Sequence, residues 1–272
     1  MSDKSGYDLI YMTCKDSNGT VKPESTMSIE RLVINFFHES FSSDRVYVIS
    51  PWISSFELKS KEFIHYPYVS SRKVIDVIKG LVKKGTEVKI LTRCADDALD
   101  ISLIRTIANI NTREGQSIPS DIRNLLKRKL DDLASRLEST KGLVEELGEN
   151  LRFDLGDRDD LYVKGRLHSK LYINHRTVIM GSANFTSSGI TDEGNWECLV
   201  RFSKDEDREI YEYAVGVVER YLAISKGFDE CESRVIKIVN RATNLIGEKI
   251  YSIEDLIDYL NRVKEGLDLS VP

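Results

Sequence analysis

The chain has 272 residues, 41% of them hydrophobic and 31% charged, an ordinary soluble composition with room for one large domain or two small ones. It shows no run of about eighteen apolar residues and no signal-peptide pattern at Met1-Ser2-Asp3-Lys4, which leads to the expectation of a cytoplasmic protein. The net charge of −5 argues against a broad basic footprint for nucleic acid, and the scattered Cys14, Cys94, Cys198 and Cys231 read as reduced thiols rather than a disulfide framework or zinc site.

In chain order, a strand over 7–13 and a polar turn over 15–24 come first. A helix from residue 28 buries Leu32, Val33, Phe36 and Phe37, and a strand over 46–49 follows. A long loop, 52–71, leaves the carboxyl end of that strand. A helix over 74–84, stopped by Gly85, then leads to a strand over 87–91. Such βα alternation predicts an α/β fold with a mixed, largely parallel sheet and a site at the carboxyl ends of its strands. The loop should lie near that site. Trp52 and His65 are therefore its expected substrate contacts, while Phe56, Phe63, Tyr66 and Tyr68 either stack on bases or pack on the domain.

Residues 96–149 read as a helical insertion, with one helix over 96–110 and a long one over 120–147. Pro119-Ser120-Asp121 starts the second and Gly148 stops it. Leu126, Leu130, Leu133, Leu137, Val144 and Leu147 form a seam, with Thr140 at the missing position and Gly142 weakening the middle by about 1 kcal/mol. At 1.5 Å per residue the helix reaches roughly 40 Å. The seam packs either on its own domain or against a second copy. In the latter case Lys127, Arg128 and Lys129 would meet Glu145, Glu146 and Glu149 across a two-fold axis.

The most informative stretch follows a strand over 151–155 and a turn over 156–160. Side chains alternate along residues 166–173, so in a strand His168 and Lys170 share one face while Leu167, Leu171 and Ile173 take the other. A turn at 174–176 returns the chain into a strand over 177–180, and Gly181-Ser182 leads to a helix start at 184–187. From Lys164 to Arg176 there are four Lys or Arg residues and no acid. An ammonium, an amide and backbone N–H groups at a helix start can hold a phosphate without metal, with an imidazole beside them free to attack. Asp157, Asp159 and Asp160 read as a solvated turn rather than metal ligands. A last strand over 196–202, a capping box at 203–206 opening a helix to about 224, and helices over 230–246 and 253–264 complete the chain.

This stretch resembles the signature of the phospholipase D superfamily, His-x-Lys followed by Gly-Ser-x-Asn. His168, Lys170, Gly181, Ser182 and Asn184 match, and Glu197 stands where members carry a carboxylate that orients the catalytic histidine. Coverage runs over roughly residues 28–205, interrupted by the insertion. The family's aspartate falls in the turn, where this chain has Asn174 and His175, one residue short of the usual spacing. That aspartate mainly supports the fold, so its absence suggests only a tighter turn, for which Asn174 is suited by its tolerance of positive φ. His175 is then an exposed turn residue rather than an extra acid.

The resemblance implies a phospholipase D-like αβα sandwich over 1–227, interrupted at about 96–149, with a helical appendage over 228–272. A winged-helix-like role for that tail is indistinguishable from plain packing. Only one copy of the motif is present, since His38, His65 and His175 lack a Lys two residues on. This points to a homodimer sharing one site and cleaving DNA or RNA, without cofactor or metal, through a phosphohistidine on His168. Lys170, Asn184 and Ser182 would stabilise charge at a phosphate seated on Gly181, and Glu197 would hold the histidine. Two rivals are a phospholipase or phosphatidyltransferase, disfavoured by the lack of a membrane segment, and a non-catalytic nucleic-acid-binding module, which would not need the nucleophile.

Overall fold

The computed structural model describes residues 10–12, 28–100, 102–106, 119–156, 166–191, 194–195, 197–243 and 249–269. They fall into two compact units. The first takes its residues from 1–93, 146–157 and 164–225, the second from 94–145, 158–163 and 226–272.

The first unit is built on a seven-stranded sheet in the order β1-β7-β6-β5-β2-β3-β4. Its strands are β1 (Ile10–Met12), β2 (Arg45–Ile49), β3 (Glu87–Arg93), β4 (Leu151–Asp154), β5 (Leu171–Ile173), β6 (Thr177–Gly181) and β7 (Cys198–Ser203). Helix α1 (Ile29–Ser40) covers one face, where Phe36 and Phe37 meet Tyr172 and Phe185 edge-on or tilted. Ser28 caps its first turn by accepting from the Arg31 N–H at 3.2 Å. Helix α2 (Val74–Lys84) connects the parallel β2 and β3. It stops at Gly85, whose φ of 96° is the left-handed C-cap that only glycine adopts without strain. The other face carries Tyr47, Ile49, Leu91, Leu167, Leu171, Ile173, Val178 and Phe202, packed against Tyr211, Ala214, Val215 and Val218 of a later helix, Arg208–Ile224.

Helix layers on both faces of a mixed sheet are the α/β sandwich that the pattern implies. The parallel share is smaller than expected. Only β2–β3 and β3–β4 are parallel, while β2–β5, β5–β6, β6–β7 and β1–β7 are antiparallel. Strands alternate with helices only in the first half of the chain; β5, β6 and β7 form a meander, for which antiparallel pairing is the natural result. All the same, the carboxyl ends of β2, β3, β4 and β6 and the starts of β5 and β7 converge on one end of the sheet.

The second unit contains α3 (Ser120–Leu147) up to Glu145, α5 (Phe228–Thr243) and α6 (Ile253–Leu269), with α4 denoting Arg208–Ile224 of the first unit. The segment read as an insertion and the one read as an appendage thus cluster in a single unit. Leu126, Leu130, Leu133 and Leu137 are buried within the chain, and Lys264–Asp131 and Lys141–Glu254 pairs tie α3 to α6. Cys94 and Cys231 form a disulfide, which corrects the reading of four reduced thiols. Their separation of 137 residues hides the pair from any spacing argument. Beside it, Arg234 Nε donates to the buried carboxylate of Asp96 at 2.5 Å.

Other boundaries differ locally. The helix read over 96–110 starts with a 3-10 turn, Ala95–Ala98, and has a helical stretch at 102–106; positions 107–110 lie outside the described residues. The expected capping box does not form. Ser203 ends β7, its carbonyl accepts from Asp207 N at 2.7 Å, and α4 begins only at Arg208. The turn at 157–160, with Asp157, Asp159 and Asp160, lies outside the described residues, as do the 15–24 turn and Trp196.

Candidate active site

The β5–β6 hairpin sets the site. Residues 166–170 lie outside any strand, so the expected strand over 166–173 is regular only from Leu171. The alternation nevertheless persists. Leu167 joins the α4-side core with Leu171 and Ile173, and Ser169 Oγ lies 3.2 Å from Tyr221 Oη of α4. Tyr172 packs on the α1 side. His168 is exposed and Lys170 is only 7% exposed. The Lys170 Nζ sits 3.3 Å from both ring nitrogens of His168 and donates to the His168 carbonyl at 2.9 Å. Burial, seconded by the Arg93 charge, holds the Lys170 ammonium below the usual lysine range, with Glu197 pulling the other way.

The turn after β6 brings the second half. A Cβ at Gly181 would lie 2.0 Å from the Cys198 carbonyl oxygen, so only glycine lets β6 and β7 approach here. Ser182 is pinned on both sides: its backbone N–H donates to Cys198 O and its Oγ accepts from Cys198 N, each at 2.9 Å. Its hydroxyl donates to Glu197 Oε2. Glu197 thus reaches the site through Ser182, and its charge also acts on Lys170 and Tyr172. The fully buried Tyr172 donates to Ala183 O at 2.8 Å, fixing the residue before Asn184. Asn184 Oδ1 is buried and has no hydrogen-bond partner among the described residues. Phe185 N donates to Ser50 Oγ at 2.9 Å, joining this turn to the end of β2.

Of the residues singled out in the sequence, the structure brings His168, Lys170, Gly181, Ser182, Asn184 and Glu197 to the same end of the sheet. Trp52 joins them through the Arg93 guanidinium, 5.5 Å from the indole centroid. His65 does not join. It ends a 3-10 turn, Glu62–His65. Its neighbours Phe63 and Tyr66 pack on His38 and Phe41 at the far end of α1. The expected stacking loop is therefore largely a packing loop: Phe56 and Phe63 are buried.

Two residues escaped the sequence reading. Arg93 Nε donates to Leu167 O at 2.6 Å, and Asp154 Oδ2 accepts from Leu167 N at 2.7 Å. Both terminate parallel strands, the position where α/β sheets carry their sites, and that rule was the available signal.

At the opposite end of the hairpin Asn174 is fully buried. Its Oδ1 accepts from Arg176 N and Thr177 N at 2.9 and 2.8 Å, and its Nδ2 donates to Phe36 O at 3.3 Å. Positive φ plays no part; among the described non-glycine residues only Tyr68 has it. His175 is half-buried rather than exposed, and its backbone N–H donates to Ser43 Oγ at 3.1 Å. Burial pushes its imidazole down from the ordinary histidine value, as does Arg176.

Residues 57–215, more than half of the chain, match the family model described as "Cardiolipin synthase, PLD-like domain". No curated protein matches the chain in sequence. Among solved structures, NucT from Helicobacter pylori is 17% identical with a TM-score of 0.40, over 73% of this chain and 92% of that one. The phospholipase D family member Nuc from Salmonella typhimurium is 12% identical with a TM-score of 0.36, over 80% and 95%. Likeness at that level bears on neither substrate nor mechanism.

Proposed function

The chain belongs to the phospholipase D-like domain family, and on that premise we propose that it is a metal-independent phosphodiesterase cleaving DNA or RNA. The observation that carries the reading is an exposed imidazole, His168, held against a buried ammonium, Lys170, at the sheet end where Ser182 and Asn184 also stand. In the proposed reaction a neutral His168 nitrogen attacks phosphorus and the bond to the leaving oxygen breaks, giving a phosphohistidine. A second acid protonates the departing oxygen, then takes a proton from the water that hydrolyses the adduct. Lys170 and the Asn184 amide stabilise the negative charge on the non-bridging oxygens. Ser182 and Glu197 hold the turn that presents Asn184, and Glu197 balances the Lys170 charge.

The chain carries one His-x-Lys and one Gly-Ser-x-Asn, so the second acid is assigned to His168 of another copy in a two-fold homodimer. A cytoplasmic setting belongs to the same reading. No described helix is long and apolar enough to cross a membrane.

The name of the matched family model favours a second reading, phosphatidyl transfer on lipid. One screen separates the two: plasmid DNA, single-stranded DNA, RNA and anionic lipid vesicles, each in excess EDTA, with wild type and His168→Ala. The proposal expects nucleic-acid products that depend on His168. Products from vesicles alone would establish the lipid reading, and activity only after magnesium is returned would refute the metal-free mechanism. A dimer of one wild-type and one His168→Ala subunit should be nearly inactive; full activity per wild-type subunit would rule out the shared site.

A further inference from the structure

His168 sits in a segment with no strand pairing of its own, yet the proposed chemistry needs its ring fixed. Lys170 meets its ring nitrogens and carbonyl, and the residue before His168 is held at both of its backbone polar groups. Leu167 N–H is bound by Asp154 from the end of β4, and Leu167 C=O by Arg93 Nε from the end of β3. The two side chains do here what a ladder does inside a sheet. Arg93 suits this role for a second reason: its guanidinium lies over the indole of Trp52, which restrains the plane of the fork.

We propose that Arg93 is a positioning residue, clamping the Leu167 carbonyl so that His168 meets the phosphorus in line, and adding a second positive charge beside Lys170. Lysine at this position would keep the charge and lose the planar, stacked fork, which separates the two parts of the role. The charge part has a signature of its own. Lys170 is faced by His168 on its own segment, by Arg93 from β3 and by Glu197 from the start of β7. Arg93 depresses the Lys170 ammonium, so removing its charge lets that ammonium hold its proton to higher pH.

The inference rests on the phosphodiesterase reading for its kinetic consequences but not for its geometry, and the experiment uses both. Wild type, Arg93→Lys and Arg93→Gln of the full chain, each shown by circular dichroism to be folded, are assayed in EDTA on the best substrate of the screen. Arg93→Gln should lose about a hundredfold in kcat with KM changed far less, the scale of a nucleophile displaced by about 1 Å. Its alkaline activity limb should move to higher pH. Arg93→Lys should recover part of kcat and keep the wild-type limb. In parallel, NMR of the same proteins follows amide exchange at Leu167 and His168 and the His168 ring resonances. Faster exchange and displaced ring signals in Arg93→Gln are expected. Wild-type kcat and pH limb in Arg93→Gln would overturn the inference. Should wild type cleave no phosphodiester, the functional reading fails, and NMR decides the clamp alone: unchanged exchange and ring signals in Arg93→Gln would refute it.

Discussion

The β5–β6 hairpin has a polar cluster at each end, and the two differ in what satisfies them. At the Asn174 end the carboxamide is bonded at both polar atoms inside the fold: the side chain bonds to Arg176, Thr177, Phe36 and Ser40, and the Asn174 backbone carbonyl accepts from Tyr211 Oη at 2.7 Å, while the neighbouring His175 Nδ1 is buried without a partner among the described residues. At the His168 end the imidazole is exposed, an ammonium is buried beside it, and Asn184 Oδ1 lacks a partner among the described residues. Burial of polar groups is common to both and so identifies neither. Completeness of hydrogen bonding separates the two carboxamides, Asn174 and Asn184, because a buried group left unsatisfied costs about 1–3 kcal/mol and persists where it serves something other than stability.

The comparison breaks most visibly at His168. His168→Asn should lower cleavage by about 10⁴-fold or more while Tm stays within roughly 2 °C, since an exposed group contributes little to stability. A comparable loss of Tm would place His168 on the structural side. The mirror experiment is Asn174→Asp, which installs the family's residue type. The carboxylate keeps both acceptor bonds but sets an oxygen against the Phe36 carbonyl and Ser40 Oγ in place of a donor. A loss of about 3 kcal/mol, or roughly 6–12 °C in Tm, is expected, with kcat of the folded fraction unchanged. Ser182→Ala lies between the two. It removes the acceptor of Cys198 N and the donor to Glu197, and should cost about tenfold in kcat with little change in KM.

The smallest effect is in pH. The Lys170 ammonium is charged below its pKa, and burial and Arg93 lower that pKa. The phosphate-binding charge is therefore complete at low and neutral pH and lost as pH rises, earlier than for a solvated lysine. KM should climb on that limb. Lys170→Arg, whose guanidinium keeps its proton, should flatten the climb, and an unchanged limb in that variant would assign it to another group.

Much of this architecture was legible in the sequence because local signals and tertiary need agree. Helix 74–84 with Gly85 and helix 120–147 are found at the bounds their caps and periodicity indicate. The alternation around His168 was read correctly as to faces although only Leu171–Ile173 pairs as a strand. What stayed hidden depends on contacts distant in sequence. The Cys94–Cys231 bond is made by packing of α5 against the turn after β3. The clamp on Leu167 needs the ends of β3 and β4 to lie side by side. The role of Asn174 is hidden in the same way, because its turn is held by side-chain hydrogen bonds reaching α1, not by its own φ. His65 is near the end of β2 in sequence but not at the site, because Phe63 and Tyr66 carry that stretch to the far end of α1.

The central claim, that His168 is a nucleophile rather than a polar surface residue, is tested most directly by trapping the intermediate. A 5′- and 3′-labelled oligonucleotide is mixed with wild type and with His168→Asn in EDTA, quenched in denaturant during turnover, and the protein mass is read intact and after peptide digestion. The account predicts one nucleotidyl adduct on the peptide containing His168, stable in alkali and released by acid, and none on the variant. Turnover by wild type with no such adduct, or an adduct that persists in His168→Asn, would contradict it.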